Sequence, residues 1–150
     1  MNATVNIKKS ILVLFVFSFG IVLNAQESVI QKTELPKTAQ TFLSKHFSGQ
    51  KAVQSIKDKG VLNTEYEVLL DNGTKVEFDS DGNWKEVDSK NETALPTGFI
   101  SSKITSYVSK NFPTQKITKI EKDSRKTEVE LTSGLDLEFD SNGNFVRIDD

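Results

Sequence analysis

Two kinds of hydrophobic pattern alternate along the chain, and each occurs twice. Ala39, Phe42, Leu43, His46 and Phe47 recur at helical spacing behind Pro36. Phe99, Ile100, Ile104, Tyr107, Val108 and Phe112 do the same behind Pro96. A proline at the first helical position followed by a one-sided apolar stripe predicts an amphipathic helix in each place. After each helix the period drops to two: Tyr66, Val68 and Leu70 then Val76 and Phe78, and later Val129 and Leu131 then Leu135, Leu137 and Phe139. That period predicts strands with one buried face. Asn72-Gly73, Asp81-Gly82, Ser133-Gly134 and Asn142-Gly143 stand where tight hairpins need positive φ. Leading strands near Val53–Asp58 and Ile117–Lys122 complete the pattern. The predicted fold class is α+β, as two tandem repeats, each one helix packed on a four-stranded antiparallel meander.

Self-comparison supports the division. Leu70 to Trp84 recurs as Leu131 to Phe145 at a constant offset of 61, and Leu35-Pro36 recurs as Leu95-Pro96 at 60. Lys45-His46-Phe47 matches Lys110-Asn111-Phe112 at 65, so the second copy carries an insertion in its first element. The expected organisation is a first repeat over 33–88, a linker over 89–94 and a second repeat over 95–150, behind a flexible segment at 26–32. Each repeat is near the size at which a lone domain is marginally stable.

Residues 1–25 have a different character. Lys8 and Lys9 precede the apolar run Ile11–Leu23, which breaks at Asn24-Ala25. Thirteen helical residues reach about 20 Å, short of the roughly 30 Å of a hydrocarbon core, so the run predicts a secretory signal peptide and not a permanent membrane anchor. The expected location is exported, in the periplasm or outside the cell.

Composition narrows the chemistry. The 150 residues include no cysteine and one histidine, with 19 basic and 21 acidic side chains. Thiolate metal sites, cysteine nucleophiles and multi-histidine centres are excluded. Without Lys8 and Lys9 the balance is 17 basic against 21 acidic, a net charge of −4, which gives nucleic acid nothing to bind. There is no Gly-rich phosphate loop and no Ser-centred elbow, so no cofactor and no catalytic residue is expected and the chain reads as a non-enzyme. His46 lacks a carboxylate or nucleophile partner that recurs with it, and is expected to be a packed or helix-end residue.

Alternation leaves one sheet face to water. Glu65, Glu67, Lys75, Glu77 and Asp79, then Glu128, Glu130, Asp136, Glu138 and Asp140, should share it, nine of the ten being acidic. Such a face is either a solvated surface that keeps a one-sided sheet soluble or a recognition surface for a positively charged partner. Trp84 and Phe145 follow equivalent turns. A two-residue turn puts both aromatics on the open face as binding anchors, whereas a three-residue loop with a glycine bulge turns them into the core. The sequence leaves both registers open. Asp79-Ser80-Asp81-Gly82-Asn83 and its counterpart from Asp140 carry alternating oxygen groups, but an EF-hand needs its glycine at the sixth place, so these read as turns and no metal site is expected.

The run from Tyr66-Glu67-Val68 through Asn72-Gly73 to Glu77-Phe78-Asp79-Ser80-Asp81-Gly82-Asn83-Trp84, repeated behind a signal peptide, resembles the PepSY-like family described as β-lactamase-inhibitor-like. The second copy keeps Leu95-Pro96, Val129, Gly134 and Glu138-Phe139-Asp140 but has Thr127 for Tyr66 and Phe145 for Trp84. The resemblance implies exported bacterial proteins whose paired helix-and-sheet units form a concave surface. Likeness of fold does not carry inhibition with it. The functional expectation is an exported non-catalytic binding module that recognises a protein or peptide with a basic surface, an inhibitor being one form of this. The expected contacts are Glu65, Glu67, Glu77, Trp84, Glu128, Glu130, Glu138 and Phe145. The alternative is an envelope small-molecule or cation-binding protein.

Overall fold

The computed structural model describes residues 26–90 and 93–149. The signal peptide expected over 1–25 lies outside the described residues. In chain order the elements are β1 (Gln26–Val29), α1 (Lys37–His46), β2 (Ala52–Lys59), β3 (Thr64–Leu70), β4 (Lys75–Phe78), β5 (Trp84–Asp88), α2 (Ser102–Asn111), β6 (Ile117–Lys122), β7 (Lys126–Leu131), β8 (Asp136–Asp140) and β9 (Phe145–Asp149). Short 3-10 turns at Lys32–Glu34 and Thr97–Phe99 precede the two helices.

All nine strands belong to one antiparallel sheet in sequence order. This corrects the expected pair of units, each with a separate four-stranded meander. β5 pairs directly with β6 through Glu86–Glu121, Val87–Ile120 and Asp88–Lys119, so no sheet boundary exists between the halves. The physical reason is that β5 and β6 each offer a bare edge beside a buried aliphatic residue. Joining them satisfies the backbone groups and covers Val87 and Ile120, which are 0% and 1% exposed. Residues 26–29, expected to be flexible, form the additional edge strand β1, with Val29 opposite Ile56.

Both helices cover the same side of this sheet. Ala39 and Leu43 of α1, and Ile104 and Val108 of α2, share one apolar cluster with Val68, Val76, Phe78, Val87, Ile120, Val129, Leu137 and Phe139. Each fully buried Val, Leu, Ile or Phe among them contributes about 1.5–3 kcal/mol. Pro96 does not open α2 as expected. It precedes the 3-10 turn at Thr97–Phe99, and α2 starts only at Ser102. The extra residues of the second copy therefore make a separate projection. Its Phe99 ring lies against Phe42, His46, Phe47 and Trp84, with centroids 5.1, 5.4, 6.1 and 5.3 Å away. The second half thus plugs an aromatic residue into the first.

The four hairpins settle the register of the two aromatics. In each, a residue donates its N–H to the carbonyl four positions on, and a glycine at the third position donates back, as in Asp79 N to Asn83 O and Gly82 N to Asp79 O. This is a three-residue loop with the glycine in the left-handed region. Phe78 consequently faces Trp84, and Phe139 faces Phe145, with a bulge beside each pair. Trp84 stacks on Phe42, and Phe145 on Tyr107 at 4.4 Å. Their expected place among open-face contacts is thereby corrected: the bulge shifts both to the helix side.

Gly82 lies so close to α1 that a Cβ would meet Pro36 Cβ at 2.7 Å and Ala39 N at 2.9 Å, whereas Gly134, at a similar φ, has nothing within 4 Å. Gly82→Ala should cost roughly 3 kcal/mol or more, combining backbone strain with overpacking. Gly134→Ala should cost only about 1–2 kcal/mol, from strain alone. Urea melts of the two variants check the difference.

Candidate functional site

The face away from the helices carries a line of like charges. Register places Glu67 opposite Glu77, Glu77 opposite Glu86, Glu86 opposite Glu121, Glu121 opposite Glu128, and Glu128 opposite Glu138. Arg147 ends the row on β9. Six glutamates thus sit side by side on six consecutive strands, spanning roughly 24 Å at the usual interstrand spacing of about 4.8 Å. The adjacent row runs Lys75, Asp88, Lys119, Glu130, Asp136 and Asp149.

Carboxylates directly opposite one another destabilise a sheet, so the row requires cations on its diagonals. Lys75 supplies one: its Nζ is 2.6 Å from Glu77, 3.8 Å from Glu86 and 3.9 Å from Glu67. Burial opposes its charge, but the hydrogen bond it donates to Glu77 and the neighbouring carboxylates outweigh that and raise its pKa. Lys119 lies 3.6 Å from Glu86 and 3.8 Å from Glu121. Lys126 reaches Glu128 at 2.8 Å and Glu138 at 3.9 Å, and Arg147 meets Glu138 at 2.7 Å. Glu86, at the centre, is 14% exposed. Burial first, then Glu77 and Glu121, push its pKa up against the pull of Lys119 and Lys75.

Of the expected contacts, Glu67, Glu77, Glu128 and Glu138 lie in the row, and Glu130 stands in the row beside it. Glu65 is on the same face, held by Lys85 at 2.7 Å and by Asn63 at 3.0 Å. Trp84 and Phe145 are brought elsewhere. Glu86 and Glu121, at the centre of the row, were not among the expected contacts. Their signal was alternation across the β5–β6 seam, which the bulge after Trp84 and the register shift between Ile117 and Lys119 break.

In the second half the face hollows into a cavity of about 300 Å³ lined by Lys119, Glu121, Glu128, Val129, Glu130, Asp136 and Asp149. Nearby, carboxylate oxygens of Glu128, Glu138 and Asp149 fall within 4.8 Å of one another. Three hard oxygen donors suit calcium or magnesium. Arg147 already meets two of the three carboxylates, Glu138 at 2.7 Å and Asp149 at 3.0 Å, so a cation would have to displace it. The Asp79 and Asp140 motifs are turns. Asp79 Oδ1 accepts from the N–H groups of Asp81 and Asn83, and Asp140 Oδ1 from those of Asn142 and Asn144. His46 ends α1 with its ring 4.9 Å from Phe42, and burial first, then Lys45, lowers its pKa.

The family described as putative β-lactamase-inhibitor-like, PepSY-like matches residues 64–147. The chain belongs to the PepSY-like family. Three solved structures are similar over 83% of this chain. A protein of Bacteroides thetaiotaomicron, described as "putative calcium-regulated periplasmic", is 41% identical with a TM-score of 0.79 and is covered over 97% of its length. Two putative periplasmic proteins of Bacteroides vulgatus are 37% and 34% identical, with TM-scores of 0.79 and 0.78 and coverage of 98% and 100% of their chains. No curated protein sequence matches the chain. The description of these three relatives as periplasmic agrees with the expectation that this PepSY-like protein is exported. Among the described residues no helix is long and apolar enough to cross a membrane.

The opposite pKa shifts of Glu86 and Asp79 give opposite pH behaviour. Glu86 holds its proton more tightly when folded, so its ionisation costs stability in full above its raised pKa, and the cost fades as pH falls from there and is gone below the unfolded value. Asp79 is partly buried, which raises its pKa, but the hydrogen bonds from Asn83, Asp81 and Gly82 outweigh this and lower it. Its contribution is present above the unfolded value and is lost as pH falls through the lowered one. Glu86→Gln should therefore stabilise the protein near pH 7 and lose that advantage in acid, whereas Asp79→Asn should destabilise near pH 7 and flatten the acid limb. Thermal melts across pH 3–7 measure both.

Proposed function

We propose that this PepSY-like protein is an exported, non-catalytic binding module whose open sheet face docks a protein or peptide bearing basic side chains. The six-glutamate row carries the reading. Its carboxylates are held in place by Lys75, Lys119, Lys126 and Arg147, yet the face keeps a net negative charge, so incoming cations find fixed partners. Fixed charge of one sign favours fast, salt-sensitive encounter. The mechanism is occupancy, and inhibition would be occupancy of an enzyme's surface.

A second reading, cation binding, is favoured by the close carboxylates of Glu128, Glu138 and Asp149 and by the description of the Bacteroides thetaiotaomicron relative as calcium-regulated. It places the ion at the β9 end of the row, where Arg147 is the competing charge.

The two readings separate by experiment. Capture of partners from the periplasmic fraction should weaken with added salt and fail with Glu67, Glu77, Glu130 and Glu138 all changed to Lys. Retention of the same partners at equal strength would count against the docking face. For the cation reading, calcium at 100 times its dissociation constant should add about 2.7 kcal/mol to stability. Glu138→Gln should abolish that gain, and absence of any calcium shift in the unaltered protein removes the reading.

A further inference from the structure

The sheet has a bare edge at β9, and its residues are arranged to match themselves. Ile148 lies opposite Leu137 on the helix side and is still 45% exposed. Arg147 and Asp149 flank it on the other face, opposite Glu138 and Asp136. Beside them Val146, the bulged residue, is 50% exposed. This edge differs from β1, where Gln26, Glu27, Ser28 and Val29 carry no opposite charges two residues apart.

Two copies of β9 in antiparallel pairing about a two-fold axis can keep both sets of helices on one side only if the axis passes through a residue pair. An axis at Arg147 puts two guanidinium groups opposite each other. An axis at Ile148 puts Ile148 against Ile148 of the second copy, and each Arg147 against Asp149 of the other. The second register therefore gives an aliphatic contact flanked by two opposite-charge pairs, all from one five-residue strand. The chain already contains a junction of this size. β5 and β6 are joined by three residue pairs, with Val87 and Ile120 buried in the middle and Asp88 opposite Lys119.

We propose that a second copy of this chain pairs with it edge to edge through β9, on a two-fold axis at Ile148, extending the one-sided sheet and continuing the acidic face across both molecules. The contact is small, so the dimer is weak, with a dissociation constant on the order of micromolar or above. Pairing of β9 with β1 of another copy would instead build an open chain of molecules, since that contact is not closed by symmetry.

The chain has no cysteine, so a single introduced thiol reports the register. Dilution followed by sedimentation equilibrium should show a monomer–dimer equilibrium. Ile148→Cys should form a disulfide-linked dimer under mild oxidation, because directly opposed Cβ atoms lie about 4.5–5.5 Å apart. Val29→Cys on β1, where the residue is 74% exposed, should not. Arg147→Glu should weaken the dimer by about tenfold through two repelling pairs, and Ile148→Lys should leave a folded monomer by circular dichroism. A monomer at every concentration up to about 1 mM, assemblies larger than a dimer, equal cross-linking from Val29→Cys, or an unchanged dimer with Arg147→Glu would each overturn the proposal.

Discussion

Antiparallel pairing of β5 with β6 is the constraint on which the molecule depends. It leaves no freedom in which side a residue takes. Once Val87 sits opposite Ile120, alternation brings the buried residues Val68, Val76, Val129 and Leu137 to the helix side and the glutamate row to the other. Two ten-residue helices then suffice to cover the apolar side. Phe99 reinforces the junction from the helix layer, lying between rings of α1 and Trp84. Sheet pairing and ring packing thus connect the same two halves at two depths.

The acidic face follows from that geometry and carries an electrostatic cost. Six carboxylates in register repel, and the protein offsets this with cations that each touch two or three of them. Lys75 serves three glutamates and Lys119 two. Individual exposed ion pairs are worth little, but pairs shared in this way make a lattice in which each side chain has few positions to explore. A pre-ordered charged surface loses less entropy on binding than a flexible one. The features that make the face tolerable for folding are therefore the same ones that would make it selective for a partner with matching spacing.

Much of this was legible in the sequence. Period-two alternation located β3, β4, β7 and β8, the leading strands β2 and β6 were found nearly to the residue, and the nine acids and Lys75 were assigned to the open side. What escaped depends on long-range pairing. β5 and β6 look like outer edges when each copy is read alone, and the polar linker after Asp88 gives no hint that they meet. β1 escaped because Gln-Glu-Ser-Val has hardly any apolar alternation, and all four residues are exposed. Phe99 and Ile100 fit the helical spacing of α2 but belong to the turn before it, where the inserted residues go. Trp84 and Phe145 hung on a single residue of loop length, which hydrogen bonding at Gly82 and Gly143 decides.

The strand order has a consequence for the way the polypeptide leaves the cytoplasm. Adjacent strands pair in sequence order, so the sheet can grow one strand at a time as the chain emerges. The delicate moment comes after Asp88, when β5 is out and its exposed rim must wait for nearly thirty further residues before β6 arrives. During that interval Trp84 and Phe42 also lack the Phe99 ring that later seals them. At this half-delivered stage a sticky border and an unfilled aromatic socket lie open side by side.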